Sequence, residues 1–444
     1  MHILFKLIGT ILIVPAAMWV WINLGQVPHY GDTFSEYLPA AKHLEFQRIF
    51  QVHGVGTPLI IWAATGGKVE YPKEWEHDKT QGCVAPARLM NVQIAQIMFS
   101  VLALIYACRV LLPRVGLWGT AVVAGLVAFD PLVAHHNLAL MPDGPALSFT
   151  VLFAAALADK KPRALPLLFL ATAGASLLRF DRGFIFVAVA AVLVFLSLRD
   201  GRRYLSFMAV FVAFMAVAVF NVEFRPKSHI PETFHYWEFP ALRMIAFGNF
   251  EAIYLRLPEK VRERFSEEDM KFMDLHQWAT RRRVFDRTKP DERPYYTLEF
   301  AKASLRYEFP AVVENAIRSA LSALLAGPVY YGRLYYQLKH PPNPWPVKQW
   351  TMWTWHHLSG HTPQESLVVV KVAASVLAAS MILAPFFICR LSWGAWFPVA
   401  VLMVILAAGY TVIGCGFEFR KVLPIHVLTL LGLYGSILSR RAHG

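Results

Sequence analysis

Charged residues are scarce in this chain. Asp, Glu, Lys and Arg make up 16% of its 444 residues, whereas soluble domains carry about 25%. Hydrophobic residues make up 56%, and the mean hydropathy is +0.42. This composition argues against an ordinary soluble enzyme and predicts an integral membrane protein.

Cysteine is also scarce, with four in the whole chain. Cys83 and Cys415 fall in segments predicted to lie outside, and Cys108 and Cys389 fall near the inner ends of predicted spans. Their spacing has no zinc-site pattern. A Cys83–Cys415 disulfide stays open as a hypothesis for an oxidising compartment. The sequence also has no internal repeat of constant period.

Long apolar runs, by contrast, are abundant. Ten segments are long enough to cross a hydrocarbon core of about 30 Å, allowing for tilt and for shorter helices resting on neighbours. They are residues 7–25, 92–110, 117–135, 144–158, 164–178, 184–198, 204–222, 367–389, 393–413 and 422–438. The first lacks a small-residue cleavage site, so we interpret it as a span and not as a signal peptide. We therefore predict an all-α polytopic membrane protein with about ten transmembrane helices.

Basic residues orient these spans. With the amino terminus inside, the inner segments hold twelve Lys or Arg and two Asp, a net +10 of the formal +13. The basic residues are Lys6, Arg109, Arg114, Lys160, Lys161, Arg163, Arg199, Arg202, Arg203, Arg390, Arg440 and Arg441, and the acidic ones are Asp159 and Asp200. Because positive loops stay on the inner side, both termini are predicted inside. The same distribution accounts for the pI of 9.6 without a nucleic-acid partner.

Two outer segments are large. Residues 26–91 hold six Lys or Arg against seven Asp or Glu, and residues 223–366 hold twenty against seventeen. Loops longer than about 15 residues are usually functional or folded in their own right. We therefore divide the chain into a transmembrane module (1–222), an outer segment (223–366) and carboxy-terminal transmembrane helices (367–444).

The second outer segment has three recognisable parts. Residues 259–283 are strongly polar and predict a solvated helix. Residues 310–325 alternate apolar and charged side chains, which is typical of an amphipathic helix in the membrane interface. The same stretch could be an eleventh span, but the basic carboxy terminus would then lie outside. The proline run 341–346 and the tryptophans after it favour a stiff strap returning to the membrane.

Carboxylates occur where predicted spans meet the outer side. Asp32 and Glu36 follow the first span and would share one face of a helix, although Thr33-x-x-Glu36 is also a capping box. Asp143 opens the fourth span, where it could equally be a helix-start carboxylate, since Pro145 suits the first turn. Carboxylates at a membrane edge are costly and usually functional.

Cations occur on the same side. Arg179 and Arg182 flank Asp181 between the fifth and sixth spans, and Arg420 and Lys421 precede the tenth. These groups could merely neutralise neighbouring carboxylates or reach toward lipid headgroups. A guanidinium at the outer leaflet also suits bidentate binding of a phosphate.

The order of these features resembles the GT-C class of integral-membrane glycosyltransferases, which use polyprenyl-phosphate sugars and include mannosyl-, aminoarabinose and arabinosyltransferases. The resemblance rests on Gly-Asp-x-x-x-Glu-Tyr (31–37), His-Gly-Val-Gly-Thr-Pro (53–58), Met-Pro-Asp (141–143), the Arg/Asp turn, and a late Glu-x-Arg-Lys before a Leu-rich span. It covers residues 1–220 and 415–438. Residues 223–366 match no single subfamily.

The resemblance implies roles for individual residues. Asp32 matches the general base of the first outer loop, and Asp143 matches the assisting acid of the second. Basic residues would hold the lipid phosphate. Apart from the resemblance, Glu36 and His136 are further substrate-binding candidates. The basic candidates are Arg179, Arg182, Arg420, Lys421 and Arg88. Asp130 and the His135-His136 pair depart from the pattern, which leaves the identity of the base open.

The implied chemistry needs few parts. A polyprenyl-phosphate sugar already carries an anionic leaving group, so the site must deprotonate an acceptor hydroxyl, align it and stabilise the departing phosphate. Direct displacement would invert the anomeric carbon. No cofactor and no metal site is required, although carboxylates suit a bridging magnesium, manganese or calcium ion. The implied partners are the lipid-linked donor, membrane lipids and a glycan, glycolipid or protein acceptor.

Three alternatives remain at this level. An O-antigen ligase or polymerase would also have about ten spans and a large outer loop, but the acidic entry to residues 26–91 argues against it. A transporter or flippase would place charges at mid-bilayer and often shows inverted repeats. A structural subunit would leave the clustered outer charges without a role. The expected location is a bacterial inner membrane with the site facing the periplasm, with the endoplasmic reticulum as the alternative.

Overall fold

A computed structural model describes residues 26–27, 37–44, 55–71, 83–84, 87–128, 131–159, 161–196, 200–224, 245, 250–274, 283–284, 286–289, 291–324, 424–428 and 431. They fall into two compact units. The first, called the N-terminal unit, comprises the described residues up to Phe224 together with 424–428 and 431. The second, called the middle unit, comprises those from 245 to Leu324.

The N-terminal unit begins with a short strand pair that the sequence did not predict. β1 (Gln26–Val27) pairs antiparallel with β2 (Cys83–Val84). The pair joins the beginning of the outer segment 26–91 to a point near its end. Within the segment lie two short helices, α1 (Leu38–His43) and α2 (Gly56–Ala64).

Apolar helices make up the rest of this unit. They are α3 (Ala87–Ala128), α4 (Pro131–Leu138), α5 (Asp143–Ala158), α6 (Ala164–Leu178), α7 (Phe180–Leu196) and α8 (Gly201–Phe224). Two helical stretches in the described part, Arg88–Pro113 and Gly201–Asn221, are long and apolar enough to cross a membrane. The mostly helical fold is therefore confirmed, while the number of spans stays a prediction. Predicted spans 7–25, 367–389 and 393–413 lie outside the described residues, as does most of 422–438.

The second and third predicted spans differ from the structure in detail. The stretch Ala87–Ala128, called α3, consists of two helices that meet at a kink at Gly116, where φ is 67° and ψ is −175°. Only glycine adopts such a backbone freely, and Pro113 weakens the helix just before it. The predicted break between residues 110 and 117 is therefore confirmed. The predicted end at residue 135 is wrong, because Pro131 begins the separate helix α4, a position that proline favours.

Close packing in the N-terminal unit depends on small residues. Every residue of α5 except Phe149 is buried, and this helix packs against α3 and α6. Phe153 of α5 stacks on Phe186 of α7 with ring centroids 3.9 Å apart. Gly174 of α6 faces the ring of Phe149 so closely that a Cβ there would overlap it. The alanine- and glycine-rich sequences of these helices therefore allow their backbones to approach one another.

Asp159 connects three helices at the end of the unit that the charge pattern assigns to the inner side. Its carboxylate accepts hydrogen bonds from the Tyr106 hydroxyl at 2.9 Å, the Lys161 N–H at 3.1 Å and Arg163 at 3.4 Å. The Arg202 guanidinium of α8 donates to its carbonyl. Burial alone would raise the pKa of Asp159, but these donors outweigh burial and lower that pKa below its usual value.

The middle unit is a helical fold with its own apolar core. Its helices are α9 (Phe250–Tyr254), α10 (Glu259–Arg262), α11 (Glu267–Asp274), α12 (Arg293–Tyr307) and α13 (Phe309–Leu324). Phe265 lies at the centre, edge-on to Tyr296 and Phe300 with centroid distances of 5.9 and 5.2 Å. α13 matches the helix predicted over 310–325. The single solvated helix predicted over 259–283 is wrong, because α10 and α11 are separated and bury Val261, Phe265 and Met270.

A capping box begins α11 and explains that interruption. The Ser266 N–H donates to Asp269 Oδ2 at 3.0 Å, and the Asp269 N–H donates to Ser266 Oγ at 3.1 Å. Reciprocal bonds of this kind satisfy two amide groups at a helix start. Arg283 and Arg287 lie 3.5 and 3.2 Å from Asp269 Oδ1. Although burial would raise the pKa of Asp269, the Ser266 and Arg287 donors lower it.

Candidate active site

Asp143 is the first residue of α5 and is almost fully buried. The residue is 4% exposed, and it follows the tight turn 139–142 between α4 and α5. The next residue, Gly144, lies so close to the His136 carbonyl that a Cβ would overlap it. The turn therefore holds the carboxylate of Asp143 and the end of α4 in close proximity. Asp143 occupies the helix start, where the amide dipoles favour a negative charge.

Arg179 joins Asp143 to a second carboxylate. Its Nη1 donates to Asp143 Oδ1 at 2.7 Å, and its Nε donates to Asp181 Oδ1 at 3.2 Å. Arg179 is the single non-helical residue between α6 and α7, so both helices position it. Its side chain is 18% exposed, compared with 1% for Asp143. The structure thus brings two predicted site residues together, 36 positions apart in the chain.

Arg182 and His136 are two further buried polar residues whose backbones adjoin this ion pair: the Arg182 N–H donates to the Arg179 carbonyl at 2.9 Å, and the His136 carbonyl lies against Gly144. Arg182 is 1% exposed and His136 is fully buried. Arg182 lies in the first turn of α7, because the helix begins at Phe180 and not at residue 184 as predicted. A fully buried guanidinium is energetically costly unless it is paired. Arg182 is therefore part of the structure around the site, and Arg179 is the more accessible cation of the two.

Two glutamines that the sequence interpretation missed hold the turn before Asp143. Gln93 Nε2 donates to the Leu138 carbonyl at 2.8 Å. With its amide turned to suit its neighbours, Gln96 donates to the carbonyls of Asn137 and Ala139 at 2.9 and 3.0 Å. Both glutamines are buried on α3. Their signal in the sequence was two amides, three residues apart, in an otherwise apolar helix.

The first outer segment packs beside the same turn. Tyr37, the last residue of the Gly-Asp-x-x-x-Glu-Tyr motif, is buried in one apolar cluster with Leu89 and with Met141 of the turn. Gly56 of the second motif lies against the Leu177 backbone, where a Cβ would be 3.2 Å from the Leu177 carbonyl carbon and oxygen. One residue of each motif therefore lies near the ion pair. Tyr37 packs in the cluster that contains Met141, two residues before Asp143, and Gly56 contacts Leu177, two residues before Arg179.

Arg88 lies on the surface at the start of α3. Its Nη1 is 3.4 Å from Glu70 Oε1, and the two side chains are 44% and 75% exposed. An exposed pair of this kind contributes little to stability. Arg88 precedes Leu89 of the apolar cluster, so it lies near the first outer segment but is not joined to the Asp143–Arg179 pair by any contact described.

Four predicted site residues lie outside the described residues. They are Asp32, Glu36, Arg420 and Lys421. The same holds for Asp130 and for the Cys83–Cys415 hypothesis, since Cys415 is not described. Their roles stay predictions.

The described residues contain no group of three His, Cys, Asp or Glu side chains placed to hold a metal ion. Asp143 and Asp181 are the two carboxylates nearest the candidate site, and Arg179 lies between them. A guanidinium in that position occupies the space that a bridging cation would take.

Comparison with known proteins gives a limited likeness. No protein-family profile and no curated protein matches the chain. Two solved structures of ArnT from Cupriavidus metallidurans, a GT-C glycosyltransferase, are similar to it. The structure bound to undecaprenyl phosphate is 14% identical with a TM-score of 0.36, and the apo structure is 15% identical with a TM-score of 0.37. Each likeness covers 98% of this chain and 78% of the other. TM-scores this low establish neither a common fold nor a common function.

Proposed function

We propose that this chain is an integral-membrane glycosyltransferase that moves a sugar from a polyprenyl-phosphate donor to an acceptor hydroxyl on the outer side of the membrane. Asp32 acts as the general base, and the displacement is direct and inverts the anomeric carbon. The acceptor is a glycan, a glycolipid or a protein. The proposed location is a bacterial inner membrane with the site facing the periplasm.

Membrane insertion is supported by an exposed apolar stripe along α8. Leu205, Met208, Val212, Met215 and Val219 recur every three or four residues and are all exposed. This spacing places them on one face of the helix. A soluble protein rarely exposes a continuous apolar surface of this length, whereas a lipid-facing helix requires one.

The observation that carries the proposal is the Asp143–Arg179–Asp181 arrangement. Paired carboxylates and a guanidinium lie at the end of apolar helices, with Arg182 buried beside them in α7. Membrane-edge charges are costly and are kept where they serve a function. Arg179 is charged and partly accessible, so it can meet a lipid phosphate that arrives from the bilayer.

The proposed roles of Arg179 and Asp143 follow from their exposure. Arg179 contacts the phosphate and stabilises the negative charge that develops on it as the sugar leaves. Asp143 holds Arg179 in the orientation its two contacts define. Arg420 and Lys421 supply further positive charge, and Arg182 and His136 support the site from within. Arg88 and Glu36 are the further proposed substrate-binding residues. A general base must be able to accept a proton, and Asp143 is already ion-paired with Arg179. The proposed base is therefore Asp32, the residue that the motif resemblance assigns.

The proposal is tested by sugar transfer in detergent. The purified protein is incubated with polyprenyl-phosphate mannose, arabinose or aminoarabinose together with a glycan, glycolipid or protein acceptor, and acceptor-dependent lipid phosphate release is measured. Asp32→Asn should lower the rate about 10²–10⁴-fold, the usual contribution of a general base. Arg420→Ala should also lower it. Asp200→Asn, at a half-exposed carboxylate near the inner ends of the helices, serves as the control and should not.

Two results would overturn the proposal. Full activity of a folded Asp32→Asn protein would exclude Asp32 as the base. If no lipid-phosphate sugar is bound or consumed, and the reconstituted protein instead moves a solute across liposomes, the transferase assignment itself is wrong.

A further inference from the structure

We propose that α13 of the middle unit docks on the phospholipid surface through a stripe of Phe309, Val313 and Ile317, called the α13 stripe. The three side chains are 57%, 37% and 54% exposed. Their spacing of four residues places them along one face over about 12 Å of helix. The inference rests on the membrane insertion proposed above and is independent of sugar transfer.

The rotation of α13 is fixed by its other side. Val312 is buried in the core of the middle unit, and Ala311 packs against the same core. Glu314 is exposed on the polar side of the helix. The helix therefore cannot turn its stripe inward without exposing Val312. An amphipathic helix of this kind lies with its apolar face at the boundary between headgroups and acyl chains.

Positive charge near the beginning of α13 favours phospholipid as the binding partner of the α13 stripe. Arg256 lies over the Tyr307 ring at 4.7 Å from its centroid, and Arg306 lies at 5.4 Å from it. Tyr307 is itself 37% exposed and comes two residues before Phe309. An amphipathic ring flanked by two guanidiniums suits the headgroup level, where the cations meet anionic phosphates.

The direct connection of the middle unit to α8 also favours phospholipid as the binding partner. The middle unit follows α8, whose residues Gly201–Asn221 are long and apolar enough to cross a membrane. The unit is thus tethered at a bilayer surface. The tether gives the lipid headgroups a high effective concentration at the middle unit. A water-soluble protein partner would have no such tether.

The test measures depth in the bilayer directly. The four native cysteines are replaced, single cysteines are introduced by Ile317→Cys, Met208→Cys and Lys271→Cys, and each is labelled with bimane. The full chain is reconstituted in bilayers of phosphatidylcholine and phosphatidylglycerol with brominated acyl chains. Met208 on the exposed stripe of α8 reports insertion, and Lys271 on the exposed side of α11 reports the aqueous phase.

The expected result is quenching of bimane at positions 317 and 208, by about twofold or more, with none at 271, since an interfacial apolar face reaches the acyl boundary. Phe309→Cys should repeat the result for position 317. Quenching at 208 without quenching at 309 or 317 would overturn docking while leaving membrane insertion intact. No quenching at 208 would overturn insertion itself, and with it this inference. A probe at 317 shielded from both bromine and an aqueous quencher would assign the stripe to a protein partner instead.

Discussion

A single arginine organises the candidate site. Arg179 satisfies two carboxylates from two different nitrogen atoms, Nη1 toward Asp143 and Nε toward Asp181. The planar guanidinium provides several donors in a fixed fork, whereas an ammonium is a point charge on a flexible stem. The same total charge on a lysine would therefore not reproduce this geometry.

Arg179→Lys should lower transfer activity about 10²-fold, the scale of losing one aligned donor to a developing anion. The expected stability loss is about 1–3 kcal/mol, because one buried carboxylate contact is left unmade. Activity is measured as kcat/KM and stability by thermal unfolding in detergent. Arg203→Lys, at an ion pair of 3.7 Å with Asp200, is the matched control. Equal losses in both variants would contradict a special role for Arg179.

Position 144 also tolerates no side chain, because Gly144 packs directly against the His136 carbonyl. A methyl group there would overlap the His136 carbonyl, so the backbone of α4 and α5 must separate. Gly144→Ala should cost about 1–3 kcal/mol through overpacking and displace Asp143. Gly125→Ala is the control, since a Cβ at Gly125 meets nothing within 4 Å. Thermal unfolding of the two variants checks this, and an unchanged melting temperature for Gly144→Ala would contradict it.

At the scale of elements, α3 supports the site through its amides. Gln93 and Gln96 together donate to three successive carbonyls, those of Asn137 and Leu138 at the end of α4 and of Ala139 in the turn that leads to Asp143. Such carbonyls have no partner within a helix and would otherwise be unsatisfied in an apolar environment. The turn can therefore hold its shape without solvent.

Gln93→Leu removes one of these donors without a large change in volume. We expect a loss of about 1–3 kcal/mol, the cost of an unsatisfied buried carbonyl, and a lower transfer rate because the Asp143 turn loosens. Asn91→Leu, at an exposed position of the same helix, should change neither. The comparison is made by unfolding and by transfer assay. Indistinguishable behaviour of the two variants would show that the Gln93 bond does not hold the turn.

In the middle unit, Asp269 stabilises the start of α11 through the capping box with Ser266 and through its ion pair with Arg287. Its pKa is lowered in the folded chain, so its stabilising contribution is present above its unfolded pKa of about 3.9 and is lost as the pH falls through the folded value. Asp269→Asn should cost about 1–3 kcal/mol at neutral pH and make stability less sensitive to acid below about pH 4. Glu268→Gln, an exposed carboxylate in the same turn, is the control. An acid dependence unchanged by Asp269→Asn would contradict this account.

Elements were predicted better than their ends. Periodicity and length located α5, α6 and α8 because each carries an uninterrupted apolar run. The gap between predicted spans 92–110 and 117–135 agrees with the kink at Gly116. The break at Ser266 depends on one capping box, which an average over many residues obscures. Asp143 and Arg179 were both recognised as candidates. Their ion pair could not be predicted, because it depends on how α5 and α6 pack in three dimensions.

At the scale of the whole molecule, charge asymmetry sets the expected orientation. The segments predicted inside carry twelve Lys or Arg against two Asp, while residues 223–366 carry twenty against seventeen. Positive loops are retained on the inner side of the membrane. Asp159 also places Tyr106, Arg163 and Arg202 together at one end of the helices, so the end of α5 and the beginning of α8 lie at the same end, which the charge pattern predicts to be the inner one.

Cysteine labelling tests this orientation. In a chain without its four native cysteines, Glu268→Cys should react with a membrane-impermeant maleimide on intact spheroplasts. Asp200→Cys should react only after permeabilisation, because it lies in an inner loop, and its side chain is half-exposed and therefore reachable once the reagent enters. The reverse pattern would invert the topology and place the Asp143–Arg179 pair on the inner side. Reaction of both before permeabilisation would show that α8, which lies between them in the chain, does not cross the membrane.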